Sequence, residues 1–269
     1  MTVAIKTSRG VLNINLIGGV YGQEFWHKVR DRRYEPDTIG FIEDRVSSKT
    51  TFMDIGAATG VMTLIAAQNG ATVYSYEPDP GVFRELSKNV ELNPHLKKKI
   101  SLNPVALSSE NGRISFAKGS DSKILSDIVV GSELNSLSPD VSVKSIAEEI
   151  GLIHNPLENQ LIIKMDIEGA EWKILSDPSS LVALQNHREI MLLAVHPGFY
   201  RPHKKIFPGL SRLSLEIFRL RNFVEALTVF RELLKYSRIY RTNLNELLNP
   251  FLIALLVIAG YHEFILEFN

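Results

Sequence analysis

A chain of 269 residues with 45% hydrophobic and 22% charged side chains can bury the core of one domain with an insertion, or of one domain and a half. Thirty Lys/Arg balance thirty Asp/Glu, so no global field marks a nucleic-acid or membrane binder. There is no cysteine, which excludes disulfides, thiolate zinc sites and a cysteine nucleophile.

The start, MTVAIKTSRG, lacks the long apolar core of a signal peptide, and the apolar run Phe251 to Ala259 is too short to span a bilayer. A soluble, cytoplasmic protein is expected. Residues 1–20 alternate weakly (Val3, Ile5, Val11, Ile14), as a small hairpin or extension would. Phe25-Trp26, Tyr34-Glu35-Pro36 and then Ile39, Phe41, Ile42 and Val46 read as one or two helices leading into the core. Trp26 and Tyr34 are either packing residues or part of a lid, and in the second case Glu35 faces the site.

The stretch from Thr51 to Asp79 is the most informative. The run Thr51-Phe52-Met53-Asp54-Ile55 reads as a buried strand. The loop Gly56-Ala57-Ala58-Thr59-Gly60 follows, and then Val61, Met62, Leu64, Ile65 and Ala66 recur at helical spacing. A second strand, Thr72 to Tyr76, ends on Glu77 and Pro78. This is half of a doubly wound sheet with a nucleotide loop. The helix N-terminus suits a carboxylate or phosphate, and Glu77 can accept two hydrogen bonds from a ribose diol. The dinucleotide spacing G-x-G-x-x-G is absent; the loop G-A-A-T-G after Asp54 instead resembles the first motif of class I S-adenosylmethionine methyltransferases, a resemblance that implies S-adenosylmethionine rather than NAD.

Gly81 to Asn93 reads as a helix and Ile100 to Leu107 as a third strand, whose end places Ala106 and Leu107 beside an adenine. Gly112 to Ala117 suggests an extra strand or hairpin. The Ser-, Gly- and Asp-rich residues 118–140 read as a loop suited to substrate contacts. Leu161 to Ile167 is a buried strand that carries Lys164 and Asp166, followed by Glu168 and Glu171. Charges at a buried strand end are costly unless paired or functional, and in open α/β sheets that end is the ligand crevice. Glu189 to Val195 is the next strand and delivers His196 to the same edge, as a base, a substrate contact or a structural histidine. Asp166, Glu168 and His196 could form an oxygen-rich metal site, but no ligand spacing demands a metal, and none is expected.

Residues 201–241 carry ten Lys/Arg against three Glu, a net charge of +7. Apolar residues at helical spacing make this one or two amphipathic helices with a basic outer face. It is either a solvated insertion or a surface for an anionic partner such as acidic lipid, a phosphorylated glycan carrier or nucleic acid. Asn249-Pro250 opens a helix over 251–259 that is apolar all round and so expected to be buried. Tyr261 to Phe268 is the final strand. Since the fold normally adds one more antiparallel strand, a shortened sheet, a truncated chain or an edge completed by a partner is expected.

Four pieces resemble the FkbM family of S-adenosylmethionine-dependent methyltransferases: Tyr34-Glu35-Pro36, MDIGAATG at 53–60, YEPDP at 76–80, and KMDIEGAE at 164–171, with Ala259-Gly260-Tyr261 as a further match. Ala58 stands where the family usually has Asn. The resemblance implies an α/β fold with a doubly wound, mostly parallel, Rossmann-like sheet of the class I methyltransferase type. It also implies methyl transfer, usually to a hydroxyl of a sugar or natural product. The expected organisation is an extension or lid over 1–48, a core over 49–200, a basic helical insertion over 201–243 and a closing helix and strand over 244–269. The residues expected to hold S-adenosylmethionine are Glu35, Asp54, Gly56, Ala57, Gly60, Glu77, Pro78, Ala106, Leu107 and Asp166. The catalytic candidates are His196 as base, Glu168 in reserve, Asp166 beside the methyl donor, and Lys164 to orient a carboxylate or the nucleophile. The rival readings are a non-catalytic S-adenosylmethionine-binding subunit and a nucleic-acid methyltransferase, whose [ND]-P-P-[YF] signature is not matched by Asp166-Ile167-Glu168-Gly169.

Overall fold

The computed structural model describes residues 2–15, 21–115, 140–153, 159–167, 169–186, 189–195, 223–224, 226–241, 247–258 and 263–268. A hairpin, β1 (Thr2–Thr7) and β2 (Gly10–Asn15), opens the chain, followed by α1 (Gln23–Arg30) and α2 (Pro36–Arg45). The repeating core then runs β3 (Thr50–Ile55), α3 (Val61–Gln68), β4 (Thr72–Tyr76), α4 (Pro80–Glu91) and β5 (Ile100–Asn103). Short strands β6 (Ala106–Ser108), β7 (Gly112–Ser115) and β8 (Asp140–Ser145) form a separate small sheet, and α5 (Ile146–Ile153) follows. Beyond it come β9 (Gln160–Met165), α6 (Glu171–Leu175), α7 (Pro178–Asn186), β10 (Ile190–Ala194), β11 (Ser237–Arg241), a helix over Pro250–Ile258 and β12 (Glu263–Phe268).

The main sheet has seven strands in the order β11-β12-β10-β9-β3-β4-β5. Only β12 runs against its neighbours. Successive strand residues point to opposite faces, and the sequence supplies apolar side chains on both. Phe52, Ile162, Leu192 and Ile265 pack with α1, α2 and α3 through Trp26, Val29, Ile42 and Leu64. Met53, Ile163, Leu193 and Phe264 pack on the other face with Ile150, Trp172, Leu184, Phe230 and Ile253. Strands buried on both faces explain the near-continuous apolar runs of β3, β9 and β10.

Local chemistry sets the helix starts. Asp79 accepts hydrogen bonds from the Gly81 and Val82 amides at 2.6 and 2.9 Å, and Pro80 takes the first helical position of α4. The hairpin is fastened to the same helix. Asn93 Oδ1 accepts from the Asn13 amide and Asn89 Oδ1 from the Asn15 amide, each at 2.9 Å. Asn89 Nδ2 in turn donates to the Thr59 carbonyl at 2.9 Å, inside the glycine loop.

Several expectations need correction. The third strand ends at Asn103, because Pro104 has no amide for the ladder; Ala106 and Leu107 belong to the small sheet. The sheet is not shortened: β11 pairs with β12 as an edge strand. It comes from within the block read as basic helices, of which the described residues show a helical run at 226–233 followed by this strand. Its arginines masked the pattern, and charged residues are what an edge strand needs. The helix Pro250–Ile258 is not buried all round: Phe251 is 57% and Leu255 44% exposed. Of the loop over 118–140, residues 118–139 lie outside the described residues, and Asp140 begins β8.

Candidate active site

A cleft of about 410 Å³ opens at the carboxyl ends of β3, β4 and β9, the position that strand order dictates for a ligand in an open α/β sheet. Its floor is the loop after β3. The amides of Gly56 and Ala57 both donate to the Tyr76 carbonyl, at 3.0 and 3.1 Å, and the Gly60 amide donates to Ala57 at 2.8 Å. Gly56 has φ +78°, and a Cβ built there would stand 1.9 Å from the Asp166 carbonyl oxygen. Glycine is therefore required for β3 and β9 to separate around the cleft. Ala58 also sits in the left-handed region, at φ +48°.

Glu77 lines the cleft and is 4% exposed. Its carboxylate accepts the Asp79 amide at 2.8 Å and the Ala58 amide at 3.0 Å, one on each oxygen. Burial pushes it up to about 7, against those two amide bonds. Each oxygen keeps a lone pair for a further donor. Pro78 and Ala57 are further wall residues, and Val105, Ala106 and Leu107 form an apolar side.

The opposite wall is charged. Lys164 and Asp166 both line the cleft, with Nζ 3.2 Å from Asp166 Oδ2 and 3.5 Å from the Gly56 carbonyl. Lys164 is only 6% exposed. Burial alone would pull its ammonium down, but Asp166, Glu35 and Asp54 outweigh burial and hold it above the ordinary lysine value. Asp54 lies beneath the loop rather than in the lining. Its Oδ2 accepts from Thr63 Oγ1 at 2.6 Å and its Oδ1 has no hydrogen-bond partner, and burial raises it against the pull of Lys164. Glu35 precedes α2 at φ +39° and is raised first by burial, with Lys164 opposing. It is hydrogen-bonded to Tyr34, which lines the cleft with Tyr21.

The sequence reading missed one acid that couples to this wall without lining the cleft. Glu263 begins β12, paired in register with Ala194 at the end of β10. By the β9–β10 register Asp166 falls at the level of Ala194, so Asp166 and Glu263 belong to one row across three strands. Burial first, then the charges of Glu35, Asp37 and Asp166, push Glu263 up to about 7, with Lys164 pulling the other way. No local spacing announces it, because strand order across the sheet brings it there. Glu171 has a structural part instead: it is fully buried and accepts the Ile167 and Gly169 amides at 2.8 and 2.7 Å. Gly60, at φ +89°, turns the chain into α3 just outside the lining. Glu168 and His196 lie outside the described residues. Among the described residues, no group of three or more His, Asp or Glu is placed to hold a metal ion.

A seven-stranded sheet with one reversed strand next to its edge, a glycine loop after the central strand and an acid after the next define a class I methyltransferase. The methyltransferase FkbM domain matches residues 54–234. The chain belongs to that family and is an S-adenosylmethionine-dependent methyltransferase. The hexuronic acid methyltransferase AglP of Haloferax volcanii is 24% identical over 228 residues, covering 81% of this chain and 89% of that one. A SAM-dependent methyltransferase from Agrobacterium tumefaciens matches at 17% identity with a TM-score of 0.27, over 39% of this chain and 32% of that one. The precorrin-6y C5,15-methyltransferase of Geobacter metallireducens matches at 10% identity with a TM-score of 0.33, over 86% and 85%. The chain spans 32% to 38% of the length of the first four solved chains it matches.

The cleft fits the methyl donor. Its volume suits a ligand of that size, the Glu77 carboxylate has acceptor capacity for a ribose diol, and Ala106 and Leu107 offer an apolar wall for a base.

Proposed function

We propose that this enzyme methylates a hydroxyl oxygen of a sugar, in a glycan or a small glycoside, with a uronic acid unit as the first candidate. The observation that carries the reading is the buried Lys164–Asp166 pair lining the same cleft as the glycine loop, with Glu35 and Glu263 near enough to couple to its charges. The Haloferax relative, named as a hexuronic acid methyltransferase, supports the choice of sugar.

S-adenosylmethionine supplies a methyl group on a sulfonium, already a good leaving group, so the chain's task is orientation and removal of one proton. Gly56 and Gly60 shape the methionine end of the pocket, with Asp54 behind them. Glu77 holds the ribose, Ala57 and Pro78 close the wall beside it, and Ala106 and Leu107 flank the adenine. Lys164 orients the acceptor, through a carboxylate or the attacking oxygen. Asp166 stands beside the donor, and Glu35 faces the site from the lid. His196 takes the hydroxyl proton, and Glu168 is the reserve base.

The test is transfer of radiolabelled methyl into fractionated uronic-acid glycans, neutral glycans, lipids and RNA. Label in a sugar fraction as an alkali-stable ether, lost in His196→Ala, supports the reading. Label confined to RNA, or binding of the donor with no transfer to any fraction, overturns it. Turnover on sugar that survives His196→Ala removes the histidine from its role.

A further inference from the structure

Two sheets that share no ladder build the cleft. Gly56, Ala57 and Glu77 stand at strand ends of the main sheet, whereas Ala106, Leu107 and Ile114 come from the small sheet. A pocket made of two such parts holds one ligand tightly only if their spacing is fixed. The chain links them through Pro104 and Val105. A buried side-chain bridge links them a second time.

At its centre is Glu149 of α5, 6% exposed. Its Oε2 accepts from the Tyr76 hydroxyl at 2.8 Å and its Oε1 from Lys144 Nζ at 2.7 Å. Tyr76 closes β4 with its side chain buried, and its carbonyl receives the Gly56 and Ala57 amides. Lys144 lies on β8, in register with Leu107 of β6. One carboxylate thus ties the residue that carries the glycine loop to the strand pair that carries the apolar wall. Packing agrees, because Tyr76, Leu107, Ile146 and Ile150 belong to one buried cluster. Burial first, then the bond to Glu149, hold the Tyr76 phenol above the ordinary tyrosine value, so it remains a donor. The start of α5 is fastened too: Asn111 accepts the Ser145 amide at 2.8 Å and donates to Glu148 at 2.9 Å. A buried carboxylate is costly unless its oxygens are satisfied, and a satisfied network fixes direction where apolar contact alone does not.

We propose that Glu149 is a positioning residue for the methyl donor. It sets the spacing between the glycine loop with Glu77 on one side and the wall of Ala106 and Leu107 on the other. It does not line the cleft, and acts through Tyr76 and Lys144. The inference rests on the placing of the ribose at Glu77 and of the adenine at Ala106 and Leu107, and stands apart from the identity of the acceptor.

The experiment is calorimetry of S-adenosylmethionine and S-adenosylhomocysteine on the full chain, with thermal unfolding measured alongside. Tyr76→Phe removes one oxygen and keeps the ring; Glu149→Ala removes the whole bridge. Both ligands should weaken alike, by about fivefold in the first variant and about tenfold or more in the second. Glu149→Gln can accept from Lys144 and donate to the Tyr76 oxygen, and should bind within about threefold of wild type. A residue that serves stability alone would lower the unfolding temperature and leave the affinity of the folded protein where it was. Unchanged affinity in Tyr76→Phe overturns the proposal, whether or not Glu149→Ala folds. So does a Glu149→Gln variant as weak as Glu149→Ala. If Glu77→Gln weakens both ligands while Tyr76→Phe does not, the donor site stands and the bridge alone falls. If neither variant moves affinity, the placing of ribose and adenine falls with it.

Discussion

Replacing Glu77 by Gln should weaken S-adenosylmethionine binding by about 30- to 150-fold. The ionised carboxylate has about four lone-pair directions; the Ala58 and Asp79 amides occupy two of them. The remaining two can accept from a diol. A glutamine keeps one acceptor oxygen and turns an NH₂ toward one of those two backbone donors. The variant therefore loses a charge-assisted bond and gains a donor–donor contact, together about 2–3 kcal/mol. The wild type carries its own signature. With the carboxyl pushed up to about 7, the ionised fraction falls about tenfold between about pH 8 and about pH 6, and donor affinity should fall with it. In the absence of donor the sign reverses. A carboxyl raised on folding stabilises the protein below the ordinary glutamate range, and this stability is lost as pH rises through about 7. Calorimetry at the two pH values, for wild type and Glu77→Gln, measures both effects. A wild-type affinity that is flat across this range, or a variant within threefold of wild type at about pH 8, would refute the assignment of Glu77 to the ribose.

Further outcomes follow from the same geometry. Gly56→Ala puts a methyl 1.9 Å from the Asp166 carbonyl, a backbone clash that cannot relax, and should cost more than about 3 kcal/mol in urea unfolding. Gly60→Ala meets only the movable Leu86 Cδ1, at 2.4 Å, and should be the milder of the two. Ala58→Gly releases a residue held at φ +48° and should stabilise by about 0.5–1 kcal/mol in the same assay. Lys164→Met strands Glu35, Asp54 and Asp166 without their cation, at a cost of about 3–5 kcal/mol near about pH 8. That loss should shrink as pH falls and the raised carboxyls of Glu35 and Asp54 protonate; a thermal shift equal at about pH 5 and about pH 8 would contradict it.

The loop after β3 and the acid after β4 were legible in the sequence, because one short contiguous stretch builds them. Gly56, Gly60 and Glu77 lie on consecutive elements of a βαβ unit, where local spacing and spatial position coincide. The Lys164–Asp166 pair was also legible, since charge at the end of an apolar run has few innocent explanations. Glu263 was not, because only the order of β9, β10 and β12 brings it level with Asp166. β11 was hidden for a related reason: an edge strand needs one apolar face and tolerates arginines, so SRIYR reads as part of a basic helical block. The closing helix was read as buried because its composition speaks only to average polarity. Which side packs was decided by the sheet and by the helical run at 226–233, and neither is encoded in PFLIALLVI itself.

The charged wall also has a history within each molecule. Glu35 comes from before the first core strand and Glu263 from the strand that closes the sheet, so Lys164 acquires its full set of acids only when the two ends of the chain meet. During synthesis the glycine loop and Glu77 emerge early and can fold with their local partners. The acidic row must wait for β12 to insert between β10 and β11, itself a non-local pairing. A nascent chain halted short of Glu263 would carry the donor loop while its lysine still lacked one of its counter-charges.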